Sequence, residues 1–283
     1  MLKKSFVLSP ALPASETDMG AFERQAAKYA EMGAEVIEFY CAPELIGERA
    51  RALSSLGLEA VYLPATFQKR NRSSLCALDE QERKEAVRRA VLLGRAAAEA
   101  GIGKALYTSG WYPEEKADAA AAYEAEARSL RELSEELPDS VILIEPGDRE
   151  VQYRQLLGPT DELTAFLAGL GCGNVRLTMD TSHILQLGED VMTSLAAAKR
   201  YCSHVHFANC ILTEGDRLYG DKHPLFGCRN GELSIPDAER LLREVTALWG
   251  EEELTVSVEF INHEGSERFM TEIDRNTEWF WRE

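Results

Sequence analysis

The sequence is short of positive charge and of histidine. It carries 31 Lys and Arg against 48 Asp and Glu, a formal net charge of −17, and only five histidines in 283 residues. A chain this acidic repels phosphate backbones and anionic lipid, so nucleic acid and membranes are poor partners for it. No run approaches the roughly twenty apolar residues that a bilayer span needs. The apolar part of the opening MLKKSFVLSP is too short for a secretory signal. Both absences point to a soluble, cytoplasmic protein. The six cysteines (Cys41, Cys76, Cys172, Cys202, Cys210 and Cys228) have neither CxxC spacing nor the density of a disulfide scaffold, which favours reduced thiols. A glycine-rich phosphate loop is also missing: LSPALPAS follows the first apolar run, which argues against a doubly wound nucleotide-binding sheet.

What the chain does have is alternation. Strand-like apolar runs lie at residues 4–8, 35–40, 59–63, 103–108, 141–145, 174–180, 203–207 and 254–260. Between them stand amphipathic stretches such as QERKEAVRRAVLLGRAAAEAG and IPDAERLLREVTALWG, with apolar residues at helical spacing and mostly Gly or Pro at their ends. Strand then helix, eight times in 283 residues, or about 35 residues a unit, predicts an α/β fold of the (β/α)8 barrel type, with residues 1–283 as a single domain. The extra length falls at residues 64–79 and 208–234, both after strand C-termini and therefore over the face where barrels keep their sites.

The strand ends carry the chemistry. Alternate residues of a barrel strand point inward, and the last inward one borders the mouth. Strand five ends in Glu145, strand six in Asp180 with His183 just beyond, strand seven in His206 and strand eight in Glu259. Three carboxylates and an imidazole converging on one mouth call for a divalent cation to offset their charge. Oxygen-rich ligation with one nitrogen suits Mn2+ first, and admits Mg2+, Co2+ or Zn2+. His204, one layer deeper on the same face as His206, reads as a core histidine whose partners are Thr178 and Ser257.

The loops above the mouth add candidates. GDKHPLFGCRNGEL supplies Asp221 and His223, placed to hold a second metal or a substrate hydroxyl, and Arg229, able to grip a hydroxyl or carboxylate. FQKRNR brings Lys69, Arg70 and Arg72 to the same face and reads as a solvated loop, the alternative being a grip on an anionic substrate group. Trp111 and Tyr112, in SGWYP, suit either stacking on a sugar ring or lid packing. Trp279, Phe280 and Trp281 read as helix packing.

Glu145, the Asp180-Thr-Ser-His183 run, His206, the Asp221-Lys-His223 loop and Glu259 together resemble the xylose isomerase-like barrels, a family of sugar isomerases and epimerases that includes endonuclease IV-type repair enzymes. The resemblance spans essentially the whole chain and is most specific over residues 141–231. In its ketose 3-epimerase branch it implies metal-ligand roles for Glu145, Asp180, His206 and Glu259, proton exchange by Glu145 and Glu259, and a substrate contact for His183. EPGDREVQYRQLLGPT and GDKHPLFG are also similar to epimerases of 3-oxo-glycosides and to the metal-bearing subunit of C-glycoside deglycosidases. The trinuclear zinc site of the endonuclease branch needs histidines from earlier strands, and none precedes His183 here.

These residues lead to the expectation of a divalent-metal-dependent isomerase or epimerase working on a keto-sugar or sugar derivative through an enediolate. The alternatives are a metal-dependent lyase subunit of the deglycosidase kind, which would sit in a hetero-oligomer, an abasic-site endonuclease, and a barrel that binds sugar without turning it over. Related barrels often pair through their outer helices, so a homo-oligomer is the other expected assembly.

Overall fold

The computed structural model describes residues 1–282. Eight parallel strands close into one barrel in sequence order: β1 (Leu2–Val7), β2 (Val36–Phe39), β3 (Glu59–Tyr62), β4 (Lys104–Thr108), β5 (Val141–Glu145), β6 (Val175–Asp180), β7 (Cys202–Phe207) and β8 (Leu254–Val258). β8 pairs back onto β1 with Ser5 opposite Ser257. Each expected apolar run falls on one of these strands. An outer ring of helices follows them: α1 (Met19–Met32), α2 (Ile46–Ser55), α3 (Glu80–Glu99), α4 (Ala119–Glu136), α5 (Thr160–Leu170), α6 (Val191–Ala198), α7 (Ile235–Trp249) and α8 (Glu267–Asn276).

Local signals set the helix ends. Asp18 accepts the Ala21 N–H to start α1, and Gly33 stops it in the left-handed region at φ 103°. Ser234 and Asp237 form a reciprocal capping box at the start of α7, with Pro236 in the first turn. No helix among the described residues is long and apolar enough to cross a membrane. All six cysteines are free thiols.

One connection differs from expectation. Residues 64–71 are a helix (Pro64–Asn71), where the basic run suggested a solvated loop. Pro64 at its first turn presets the backbone, and Pro64, Ala65 and Gln68 turn into the protein. The helix repairs a weak seam, because β3 and β4 share a single register pair, Tyr62 with Ala105. Gln68 takes over that ladder: its Nε2 donates to the Thr108 carbonyl at 3.1 Å and its Oε1 accepts the Thr108 N–H at 3.0 Å.

The barrel interior has two unlike sides. Val7, Val36, Val61, Leu63, Leu106 and Leu143 form one buried apolar cluster along the first five strands. Thr178, Asp180, His204, His206 and Ser257 line the last three, all buried.

Candidate metal centre

The expected convergence is present. Glu145 and Asp180 are the last residues of their strands, His206 is the penultimate residue of β7, and Glu259 follows β8 directly, its N–H still bonded to the Phe207 carbonyl. One ligand atom from each lies within 4.8 Å of the others. His206 Nδ1 is 3.1 Å from Glu145 Oε1, 3.0 Å from Glu259 Oε2 and 4.0 Å from Asp180 Oδ2. Asp180 divides its two oxygens: Oδ1 accepts the N–H groups of Ser182 (2.6 Å) and His183 (3.3 Å), capping the helix Thr181–Gln186, and Oδ2 is buried toward the cluster with no partner. Glu259 Oε2 is buried as well, with His206 Nδ1 as its near neighbour at 3.0 Å. A buried oxygen left without a partner, like Asp180 Oδ2, is costly unless a cation or donor meets it, so the donor set fits a divalent ion.

The electrostatics agree. Burial works against the charged form of His206, but the Glu38 charge and the bonds to Glu145 and Glu259 hold its pKa well above the usual imidazole range. Burial and the neighbouring carboxylates raise Asp180 against the opposing pull of His223 and His183. Glu145 is lowered despite its burial, chiefly by the charge of Lys69. The cluster recruits positive charge from whatever lies nearest.

Glu38 is the residue that strand-end reasoning missed. It stands in the middle of β2, completely buried, and reaches across the barrel: Oε2 lies 3.1 Å from His206 Nε2, and Oε1 lies 2.8 Å from His204 Nε2 and accepts from Ser5 and Ser257. Donation from His206 Nε2 to Glu38 leaves the Nδ1 lone pair for a cation, the carboxylate–histidine–metal arrangement. The signal was in VIEFY, a lone acid in an apolar strand at an inward position. His204 is buried as expected and Ser257 is one of its partners, at 3.0 Å, but the other is Glu38. The Thr178 hydroxyl has no partner, which corrects the expected pairing.

A second group sits beside the first. Asp180, His183 and His223 also bring ligand atoms within 4.8 Å of one another. His223 Nε2 lies 2.5 Å from Asp221 Oδ1 and 3.0 Å from Ser182 Oγ, while its Nδ1 is 3.5 Å from Glu259 Oε1. Its backbone is in the left-handed region at φ 38°, strained for a side chain, and is held there by those contacts. Both ring nitrogens of His183 are buried without a partner.

The other candidates separate. Trp111 is half-buried, bridges to Gln155, and carries the Arg72 guanidinium 5.0 Å above its ring. Arg149 covers Tyr112 at 4.2 Å. Arg70 pairs with Glu16 through two 2.7 Å bonds. Arg229 is exposed and faces the charge of Asp216, so the structure does not bring it to the cluster. Trp279 and Phe280 are buried in helix packing, with Trp279 edge-on to Phe226. Lys69, expected in solvent, points inward to Glu145 Oε2 at 3.3 Å.

A closed parallel barrel with a buried carboxylate and histidine cluster that could hold a metal ion at its C-terminal mouth defines a class of (β/α)8 proteins. The xylose isomerase-like TIM barrel family matches residues 26–275, and the chain belongs to that family. No curated protein matches the chain in sequence. Among solved structures it is similar to an L-ribulose 3-epimerase, with 19% identity, 100% of this chain and 88% of that one covered, and a TM-score of 0.73. It is also similar to 3-keto-D-glucoside 4-epimerase from E. coli, with 15% identity, 98% and 99% coverage, and a TM-score of 0.68. An IOLI protein with a bound zinc atom gives 16% identity, 97% and 96% coverage, and a TM-score of 0.72.

Proposed function

We propose that the protein is a divalent-metal-dependent isomerase or epimerase of a keto-sugar or sugar derivative. Glu145, Asp180, His206 and Glu259 would hold one ion, Mn2+ being the first to try and Mg2+, Co2+ and Zn2+ the others. The observation that carries this reading is the meeting of three carboxylates and one imidazole within 4.8 Å, with Asp180 Oδ2 buried toward them without a hydrogen-bond partner. The epimerases and the zinc-bearing barrel of the same fold support it. When bound, the ion would supply Lewis-acid polarisation of the substrate carbonyl and stabilise the developing enediolate.

The protein's own groups do the rest. Glu145 and Glu259 enter from β5 and from the end of β8, on either side of the β6 and β7 ligands. One removes the proton alpha to the carbonyl and the other returns it. Return to the opposite face of the same carbon gives epimerisation, and return to the adjacent carbon gives isomerisation. His183, with both ring nitrogens unpartnered, is placed to bond a substrate oxygen, and His223, oriented by Asp221, a second one. A second cation at Asp180, His183 and His223 is the other reading of that group, favoured by the approach of their ligand atoms. Trp111 supplies an aromatic wall above β4.

The test is incubation of Mn2+-loaded protein in D2O with a panel of keto-sugars and 3-oxo-glycosides, followed by mass spectrometry. Deuterium uptake at carbon is expected. Protein shown to carry metal that exchanges no proton in any of these substrates would refute the reading.

A further inference from the structure

Lys69 is a cation where solvent-facing charge was expected. It lies on the helix Pro64–Asn71, its side chain one-quarter exposed, with Nζ 3.3 Å from Glu145 Oε2 and 5.1 Å from the centre of the Tyr153 ring. Glu145 Oε1 faces His206, so the ammonium caps the oxygen that the metal cluster does not use. Burial opposes its charge, and Glu145 with Asp221 and Glu259 favours it. At 3.3 Å from Glu145 it is placed as a positive charge and a hydrogen-bond donor.

Charge counting shows why one is needed. Glu38, Glu145, Asp180, Asp221 and Glu259 bring five negative charges to the mouth, all buried or nearly so. His223 pairs with Asp221 at 2.5 Å, a divalent ion would cancel two of the others and Lys69 a third, which leaves one. A carboxylate or phosphate on the substrate would therefore meet a site that is already negative, whereas a neutral sugar that becomes an enediolate would gain from the ammonium as its charge develops. An ammonium has three N–H donors. Glu145 takes one at a long distance and the Tyr153 face occupies a second direction, which leaves a donor for the open side.

Resting on the proposed function, we infer that Lys69 is a further residue of the reaction centre. It pins the outer oxygen of Glu145 and donates to the oxygen of an uncharged keto-sugar that acquires negative charge in the enediolate. No proton leaves Lys69 and none is taken up by it; the transferred proton moves between the substrate carbon and the glutamates.

The test uses the full chain as wild type, Lys69→Met, Lys69→Gln and Lys69→Arg, and reads two quantities of opposite sign. Calorimetric titration with Mn2+ should show Lys69→Met and Lys69→Gln binding about tenfold more tightly, because a positive charge has left the side of the carboxylates. Deuterium exchange by the same variants should fall about 100-fold, carried by kcat rather than KM, as for loss of a donor to a developing oxyanion. Lys69→Arg should restore the wild-type Mn2+ affinity and part of the rate. Damage to the fold would weaken both quantities together, so it cannot imitate this result. Unchanged or weaker Mn2+ binding in both Lys69→Met and Lys69→Gln would overturn the placement of the charge, and exchange within about threefold of wild type would overturn the role in the reaction. If wild type exchanges nothing in any substrate, the proposed function and the reaction role fail together, while the Mn2+ comparison still decides whether Lys69 belongs to the site.

Discussion

Along β1 to β5 the inward positions of the barrel carry Val7, Val36, Val61, Leu106 and Leu143, whereas along β6 to β8 they carry Thr178, Asp180, His204, His206 and Ser257. Strand geometry is the same on both sides. The apolar side removes water and packs without polar demands, and the polar side holds groups that must each find a partner in the low dielectric so created. The first side is not wholly apolar, since Ser5, Thr108 and Glu145 are buried there, and Glu38 leaves it at β2 and crosses to bind both histidines of β7. The apolar residues of that half thus serve the chemistry indirectly, by making the nearby charges, Glu145 of β5 included, strongly felt. Substitutions on the two sides should therefore damage different quantities.

The largest effect is expected on the polar side. Glu259→Gln should lower proton exchange by at least about a thousandfold with the fold intact, since it removes a proton-transfer group. His206→Ala should in addition abolish tight Mn2+ uptake. Isotope exchange and calorimetry check both, and a Glu259→Gln protein as active as wild type would contradict the assignment. Next in size is the apolar side: Leu143→Ala, at a fully buried position, should cost about 2–5 kcal/mol in denaturant unfolding while leaving Mn2+ affinity near wild type. If instead Leu143→Ala abolished metal binding and left stability alone, the division of labour would be wrong.

Glu126 on α4 sharpens the contrast, because it is a buried acid outside the barrel mouth. It is completely buried with no side-chain partner for its oxygens, and burial pushes its pKa up to about 8. The unfolded chain gives up this proton near the ordinary value of 4.5, so the folded state binds more protons between that pH and about 8. The contribution to stability is complete below the unfolded pKa and is lost as pH rises through the folded one. Glu126→Gln should flatten this fall, and the gain over wild type should reach a few kcal/mol by about pH 8. Parallel pH–stability curves for the two proteins would refute it.

Much of this was legible before the structure. Eight apolar runs separated by amphipathic stretches can close only a few ways, and four chemistry-bearing residues stand at or beside a strand's end, where position dictates direction. Glu38 escaped because a residue in mid-strand has no end to mark it, and only the crossing distance in the closed barrel shows it touching β7. Lys69 escaped for a different reason. One inward lysine within a basic run has the same local pattern as a solvated face, and the turn that sends Arg70 to Glu16 and Lys69 to Glu145 is set by a short helix that its polar composition conceals. Arg229 failed in the opposite sense: nearness in sequence to His223 said nothing about which way an exposed turn would face.

The smallest expected effect tests the bridge between the two sides. Glu38→Gln keeps the size and the acceptor oxygen of the side chain but removes the charge that faces His206 Nε2 and His204 Nε2, at 3.1 and 2.8 Å. With less pull on its Nε2–H, His206 becomes a weaker donor of its Nδ1 lone pair, and the amide can turn its NH2 toward one imidazole and force a change of tautomer. Mn2+ affinity should fall about 10- to 100-fold, the size found for partners that orient a ligating histidine. Raising Mn2+ above the new dissociation constant should then restore most of the rate, because Glu38 touches neither Glu145 nor Glu259 and takes no proton from substrate. A rate that stays low at saturating Mn2+ would instead place Glu38 in the proton-transfer path beside Glu145 of β5.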